Sequence, residues 1–214
     1  MLRFNSALFA FAAEFVGQYV PYQGIEIAPL AGGVSIAATN RGAVAMLAFD
    51  PNGLATETAV LLPGDELARA CKGIKTAQRE LVVEGDDAVV TTYYKGHSTS
   101  KEFSVQRSAG GFSSLRQVIR GAVRYWGETP ELSRTAGRYD MQLLHRSIKA
   151  MVDDTDSVVL SAFQGGPLRL QREDLQIVVL LMPQEAQPIP SMPPWLTTYA
   201  ESSDESSDLL QAAA

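Results

Sequence analysis

One order of elements recurs along this chain: a helix followed by three strands, with a short strand before the helix in the first two copies. In the first copy, residues 1–4 have a strand pattern, Ser6 suits a helix N-cap, and strand-like runs extend to residue 49. The second copy spans residues 58–106, and the third begins with a helix at residue 141 and ends near residue 182. This repeat predicts an α+β fold built of βαβββ modules, because such units bury their apolar faces against one another.

The region between the second and third copies allows two interpretations. The apolar residues of 115–126 have helical spacing, which Gly121 weakens, so the segment is either a linker or the remnant of a fourth module. We therefore predict a two-module domain over residues 1–108 and a partial second domain over residues 109–183. Residues 184–214 are rich in proline and acidic side chains, which predicts a disordered tail.

The charges are distributed unevenly. All 18 Lys and Arg residues lie between Arg3 and Arg172, whereas five of the 24 acidic residues lie beyond Pro183. The net charge of −6 therefore leaves the body almost neutral, and a local positive surface depends on where the basic side chains lie. The single cysteine, Cys71, and the absence of a signal peptide or a long apolar run predict a cytoplasmic protein.

Basic residues recur with helical spacing on three segments. The helices predicted near residues 65–73 and 141–152 each have an apolar stripe with basic side chains opposite, and a third basic series lies between residues 116 and 124. Such charges also fit ordinary solvated helix faces. If the three helices line one wall, they would contact phosphates whatever the base sequence. The predicted DNA-binding residues are Arg69, Lys72, Lys75, Arg79, Arg116, Arg120, Arg124, Arg146 and Lys149.

The motifs of common enzyme classes are missing from the sequence. The chain has no HExxH, GxSxG or Walker-type GxxxxGK string, and His97 and His145 are its only histidines. Cys71 lies on an apolar helix face, which is typical of core packing, and residues 153–156 have the pattern of a solvated acidic loop. We predict no enzymatic activity, no cofactor and no metal site.

Four local strings, in this order, resemble the bacterial sliding clamp, the beta subunit of DNA polymerase III. Residues 33–45 (GVSIAATNRGAVA) resemble the clamp's ATDGHRLA strand–turn–strand, with Asn40, Arg41 and Gly42 replacing its Asp-Gly-His. Residues 60–63 (VLLP) resemble its VIVP helix entry, and residues 111–119 (GFSSLRQVI) resemble its RFPDYRRVL. Residues 178–183 (VVLLMP) resemble its terminal VVMP strand, so the resemblance covers about residues 1–183.

This resemblance implies the sliding-clamp (DNA clamp) fold, with helices on one face of antiparallel sheets. Its DNA-facing positions match Arg69, Lys72, Arg146 and Lys149. It also implies a pocket for short hydrophobic motifs of replication proteins, in which Arg41, Gly42 and Ser113 depart from the family pattern. The matching pocket positions are Thr39, Arg41, Gly42, Val44, Ser113, Met182 and Pro183.

The function that the resemblance implies is a non-enzymatic processivity factor that encircles duplex DNA and docks a polymerase or another replication protein. Because this chain is short, three or four copies would be needed for the family's twelve-module ring, and a phage or plasmid origin fits its size. The alternative is a clamp-fold interaction module that forms no ring and binds a partner protein or a host clamp.

Overall fold

The computed structural model describes residues 1–19, 22–40, 43–72, 78–124, 135–151, 158–162, 166–172, 176–188 and 191–193. The helices are α1 (Ser6–Ala13), α2 (Asp65–Cys71), α3 (Ser113–Arg124) and α4 (Met141–Met151). The strands are β1 (Leu2–Asn5), β2 (Gly24–Leu30), β3 (Gly33–Asn40), β4 (Val44–Asp50), β5 (Leu54–Ala55), β6 (Val60–Pro63), β7 (Gln78–Glu84), β8 (Asp87–Tyr94), β9 (His97–Ser104), β10 (Ser108–Ala109), β11 (Thr135–Arg138), β12 (Val159–Ala162), β13 (Leu168–Arg172), β14 (Ile177–Leu181) and β15 (Glu185–Pro188).

Three modules of identical element order make up the fold. The first contains β1, α1 and β2 to β4, the second β6, α2 and β7 to β9, and the third β11, α4 and β12 to β14. The short strands β5, β10 and β15 each follow one module and pair with the first strand of that same module. The predicted α+β fold of repeated βαβββ modules is confirmed, with antiparallel pairing throughout the described strands.

The first two modules exchange their first strands. β1 of the first module pairs with β7 of the second, and β6 of the second pairs with β2 of the first. The result is a five-stranded sheet, β5-β1-β7-β8-β9, and one end of an eight-stranded sheet, β10-β6-β2-β3-β4-β14-β13-β12. The third module joins this second sheet through β14, which pairs with β4 from Val44↔Leu181 to Ala48↔Ile177.

The two faces of the eight-stranded sheet are covered by different helices. Because side chains alternate along a strand, Ile36, Met46 and Val179 lie on one face, where they share the main core with α1, α2 and α4. We call this the inner face. Ala37 and Leu180 lie on the opposite, outer face, where they pack against α3.

Local sequence signals explain where helices α1 and α4 begin. The side chain of Asn5 accepts a hydrogen bond from the Ala7 backbone N–H and caps α1, whereas the predicted cap, Ser6, is the first helical residue and is buried. Asp140 caps α4 by accepting from the backbone N–H groups of Gln142 and Leu143. The α2 helix ends at Cys71, two residues before its predicted end.

Two regions differ from the sequence-based expectations. The middle segment is a helix, α3, that no set of three strands follows among the described residues, so it does not build a fourth module there. The tail was predicted to be disordered from residue 184, but residues 185–188 form β15 and pair with β11. This pairing offsets part of the ordering entropy that the composition alone cannot offset. The domain boundary at residue 108 remains a prediction.

Candidate nucleic-acid interface

Exposed basic side chains lie on α2 and α4, whose buried sides both pack into the main core. Leu67 of α2 and Met151 of α4 are buried in the main core, so the opposite sides of both helices point to solvent. Arg69, Arg146 and Lys149 lie on these exposed sides. His145 is also exposed on α4.

Lys72 lies at the C-cap of α2 and forms a salt bridge with Glu14 at the C-cap of α1. The pair joins the ends of two neighbouring helices, so Lys72 contributes less net positive charge than Arg69 does. Helix α2 does not extend to Arg79, which is half-buried on strand β7, and a DNA contact by this residue remains a prediction. Lys75 lies outside the described residues.

The expectation that three basic helices share one wall is wrong for α3. This helix packs on the outer face of the eight-stranded sheet through Leu115 and Ile119, on the side opposite to α2 and α4. Arg116 and Arg120 are exposed there. Arg124 ends the helix, and its side chain lies outside the described part of the structure. The spacing of these arginines predicted a helix correctly but carried no information about which sheet face the helix would cover.

An apolar cluster lies beneath α3 at the seam between β3, β4 and β14. We call it the outer cluster. Its members are Ala37, Ala45, Phe112, Leu115 and Leu180, with Tyr22, Leu61, Ile119, Val178 and Met182 packed against them. The rings of Tyr22 and Phe112 are stacked with centroids 6.5 Å apart. Because α3 contributes its own apolar side chains, the chain itself covers this part of the seam.

The residues predicted to form a peptide pocket divide between the two faces. Met182 belongs to the outer cluster, and Thr39 lies on the same face as its cross-strand neighbour Ala45, with its hydroxyl donating to the Val44 carbonyl at 2.7 Å. Val44 is buried in the main core on the inner face, so the structure separates it from them. Ser113 begins α3, and Pro183 follows Met182 half-buried. Arg41 and Gly42 lie outside the described residues.

A buried carboxylate, Glu26, holds α3 to the sheet. It is 5% exposed and accepts hydrogen bonds from the Phe112 backbone N–H at 2.6 Å and from the Arg116 guanidinium at 3.0 Å. Glu26 is not among the site residues predicted from the sequence. A signal was present, because an acidic residue inside the apolar run of β2 is rarely buried without a partner.

The described residues contain no group of three or more His, Cys, Asp or Glu side chains that could hold a metal ion. No helix in the described part of the chain is long and apolar enough to cross a membrane.

Cys71 is a buried thiol, and we expect it to be unreactive in the folded protein. Burial raises its pKa to about 12, so almost no thiolate exists at neutral pH. Alkylation by iodoacetamide should therefore be slow in buffer and fast in denaturant, measured by mass spectrometry. Because the folded pKa lies above the unfolded value of about 8.5, this group's contribution to stability is complete below pH 8 and declines towards pH 12. Rapid labelling of the folded chain would contradict this placement.

No protein-family model matches the chain, and no curated protein matches it in sequence. Solved structures do match. The DNA polymerase III beta subunit of Thermotoga maritima aligns with a TM-score of 0.53 and 12% identity over 92% of this chain and 67% of that chain.

Two other solved structures give the same result. A DNA polymerase sliding clamp from Pseudomonas aeruginosa aligns with a TM-score of 0.53 and 14% identity, over 86% of this chain and 66% of that chain. The sliding clamp of Bacillus subtilis aligns with a TM-score of 0.50 and 12% identity, over 90% of this chain and 67% of that chain. This chain thus spans about two thirds of the length of these proteins. With its three modules and exchanged first strands, the chain has the fold of the bacterial sliding clamp, the DNA polymerase III beta subunit, in a shortened form.

Proposed function

We propose that this protein is a clamp-like tethering factor that contacts duplex DNA through α2 and α4 and keeps a replication protein on the DNA. The single observation that carries the proposal is the exposure of Arg69, Arg146 and Lys149 on two helices whose opposite sides are buried in the same main core. Side chains on regular helices meet phosphates rather than base edges when no helix enters a groove, so the contact would be independent of sequence.

The apolar seam on the outer face is the proposed docking site for the replication protein. Thr39, Met182 and Pro183 lie at this seam, and the solved structures with the same fold are subunits of a DNA polymerase. Because α3 covers the outer cluster, a partner peptide would either bind beside α3 or displace it. The proposed activity is mechanical and includes no chemical step.

A double charge reversal tests the DNA contact. We expect Arg69→Glu combined with Lys149→Glu to weaken binding to a labelled duplex by about tenfold or more, because it removes one cation from each helix and adds repulsion. The slope of log K against log salt concentration should also fall by about 2, close to 0.9 for each lost phosphate contact. Fluorescence anisotropy on two duplexes of unrelated sequence measures both quantities.

The matched control combines Lys95→Glu with Arg120→Glu. Both residues are exposed, one in the β8–β9 turn and one on α3, and the pair changes the net charge by the same amount. We expect this control to keep most of the affinity. Equal losses in the two variants would mean that net charge alone governs binding, and the proposed interface would be wrong.

A second candidate function is an interaction module that does not encircle DNA. The observation that favours it is a strand edge that stays unpaired in the second module. The junction between the first and third modules pairs β4 with β14, and β9, the last strand of the second module, is left at the edge of its sheet. Because β9 ends the second module as β4 and β14 end theirs, its open edge is available either to β9 of another copy or to a strand of a partner protein, and the second case gives no ring. Absence of DNA binding even at low salt would favour this candidate.

A further inference from the structure

The first two modules together form one closed structural unit, and the third module corresponds to one half of such a unit. In that unit, β1 pairs with β7 over four residue pairs and β6 pairs with β2 over four, so each module supplies the strand that closes the other. The two helices also lie side by side, and Glu14 and Lys72 form a salt bridge between their ends. Each of these two modules is therefore completed by the first strand of the other.

The third module repeats the internal pairing of the other two modules but lacks this closure. β15 pairs with β11 as β5 pairs with β1 and as β10 pairs with β6. The second edge of β11, which corresponds to the β6 edge that pairs with β2, has no partner among the described strands. The outer edge of β12 is also unpaired among them, whereas the corresponding edge of β7 is covered by β1.

Leu160 is an apolar residue left exposed on β12, whose outer edge pairs with no described strand. It lies opposite Leu170, which is fully buried on the inner face, so Leu160 also faces the side of the helices. Its counterparts on β7 and β2, Leu81 and Ile27, are 0% exposed because Phe4 and Val60 of the closing strands lie beside them. Leu160 is 55% exposed.

The flank of α4 is open in the same region of the module. Ile148 belongs to the apolar stripe of this helix in sequence, yet it is 39% exposed, and Met141 is 72% exposed. A neighbouring helix would cover this flank, as α1 lies beside α2 in the closed unit.

We propose that two copies of this chain join their third modules around a twofold axis. β11 of each copy pairs with β12 of the other, and the two α4 helices pack side by side. The surface is suited to a second copy because it carries both complementary halves of one contact, which is the property of a twofold interface. The pairing also removes two open strand edges from each copy.

This dimer goes beyond the proposed DNA contact and does not depend on it. It contains six modules arranged as three complete pairs. Two such dimers, four chains, would supply the twelve modules of the ring that the resemblance implies.

Solution mass and a single substitution test the proposal. We expect sedimentation velocity to show a dimer at micromolar concentration, and Leu160→Glu to weaken dimerisation by about 100-fold, because the lost apolar burial occurs twice in a twofold interface. The matched control is Leu30→Glu, since Leu30 is likewise 55% exposed but lies at the end of β2 away from these edges. A monomeric wild-type chain, or equal effects of the two substitutions, would overturn the proposal.

Hydrogen exchange in the unmodified full chain provides a measurement that does not depend on a variant folding. Within residues 135–138 and 159–162, the backbone amides that do not bond to β15 or β13 should exchange slowly at high protein concentration and faster on dilution. Protection that does not change with concentration would mean that another segment of the same chain covers these edges, and the dimer would be wrong.

Discussion

Replacing Glu26 by alanine should lower the free energy of unfolding by about 2–4 kcal/mol and release α3 from the outer face. The Phe112 N–H would lose its acceptor in a buried environment, and such an unsatisfied group costs about 1–3 kcal/mol in addition to the lost charge-assisted bond. Urea denaturation measures the loss of stability. Hydrogen exchange of residues 113–124 measures the release of the helix.

Two control variants separate the contributions of this carboxylate. Glu26→Gln keeps an acceptor for the Phe112 N–H and should cost less, about 1 kcal/mol. Arg116→Ala removes only the ion pair, and because the Arg116 side chain is 53% exposed we expect less than about 1 kcal/mol. If Arg116→Ala costs as much as Glu26→Ala, then the ion pair rather than the backbone hydrogen bond holds the helix.

A methyl group added at Gly33 should also destabilise the fold strongly, by about 2–3 kcal/mol. The new Cβ would lie 2.2 Å from the carbonyl oxygen of Asp50, a backbone atom that moves only if β4 moves. The Asp50 carboxylate accepts from the Asn5 N–H at 2.7 Å, so a shift of β4 also weakens the connection to β1 and α1. Thermal or urea unfolding of Gly33→Ala measures the effect.

A glycine-to-alanine substitution at Gly121 should instead raise the free energy of unfolding. This glycine lies inside α3, and apart from the backbone of its own helix no atom lies within 4 Å of the added Cβ, so alanine should stabilise the helix by up to about 1 kcal/mol. An unchanged unfolding midpoint for Gly33→Ala would show that β3 and β4 do not approach as closely as described.

The position of α3 separates the basic residues of this chain into two groups. Arg69, Arg146 and Lys149 are exposed on the helices that pack into the main core, while Arg116 and Arg120 lie on α3 over the outer face and Arg116 is bound to Glu26. If α3 and a docking peptide compete for the outer cluster, partner binding would be coupled to undocking of the helix. The Glu26→Ala variant would then bind such a peptide more tightly than the wild-type chain does.

Some parts of this structure could be predicted from local sequence patterns. The strand-like runs at residues 34–38 and 43–49 and the apolar stripes of α2 and α4 predicted the strands, the helices and the modular repeat. These signals are local because a strand or helix repeats every two or 3.6 residues. Basic residues opposite an apolar stripe are predicted to be exposed by the same periodicity, as Arg69, Arg146 and Lys149 are.

The tertiary structure decided which surfaces meet. Periodicity shows that α3 has an apolar side but not that this side covers the outer face, because Glu26 is 86 residues from the Phe112 that it holds. The open edge of β12 was also unpredictable, since an apolar Leu160 has the same local pattern whether or not a closing strand covers it. By itself, the sequence determined the elements and the polarity of their faces through short-range periodicity. The pairing of those faces depends on contacts between distant residues, which only the folded chain brings together.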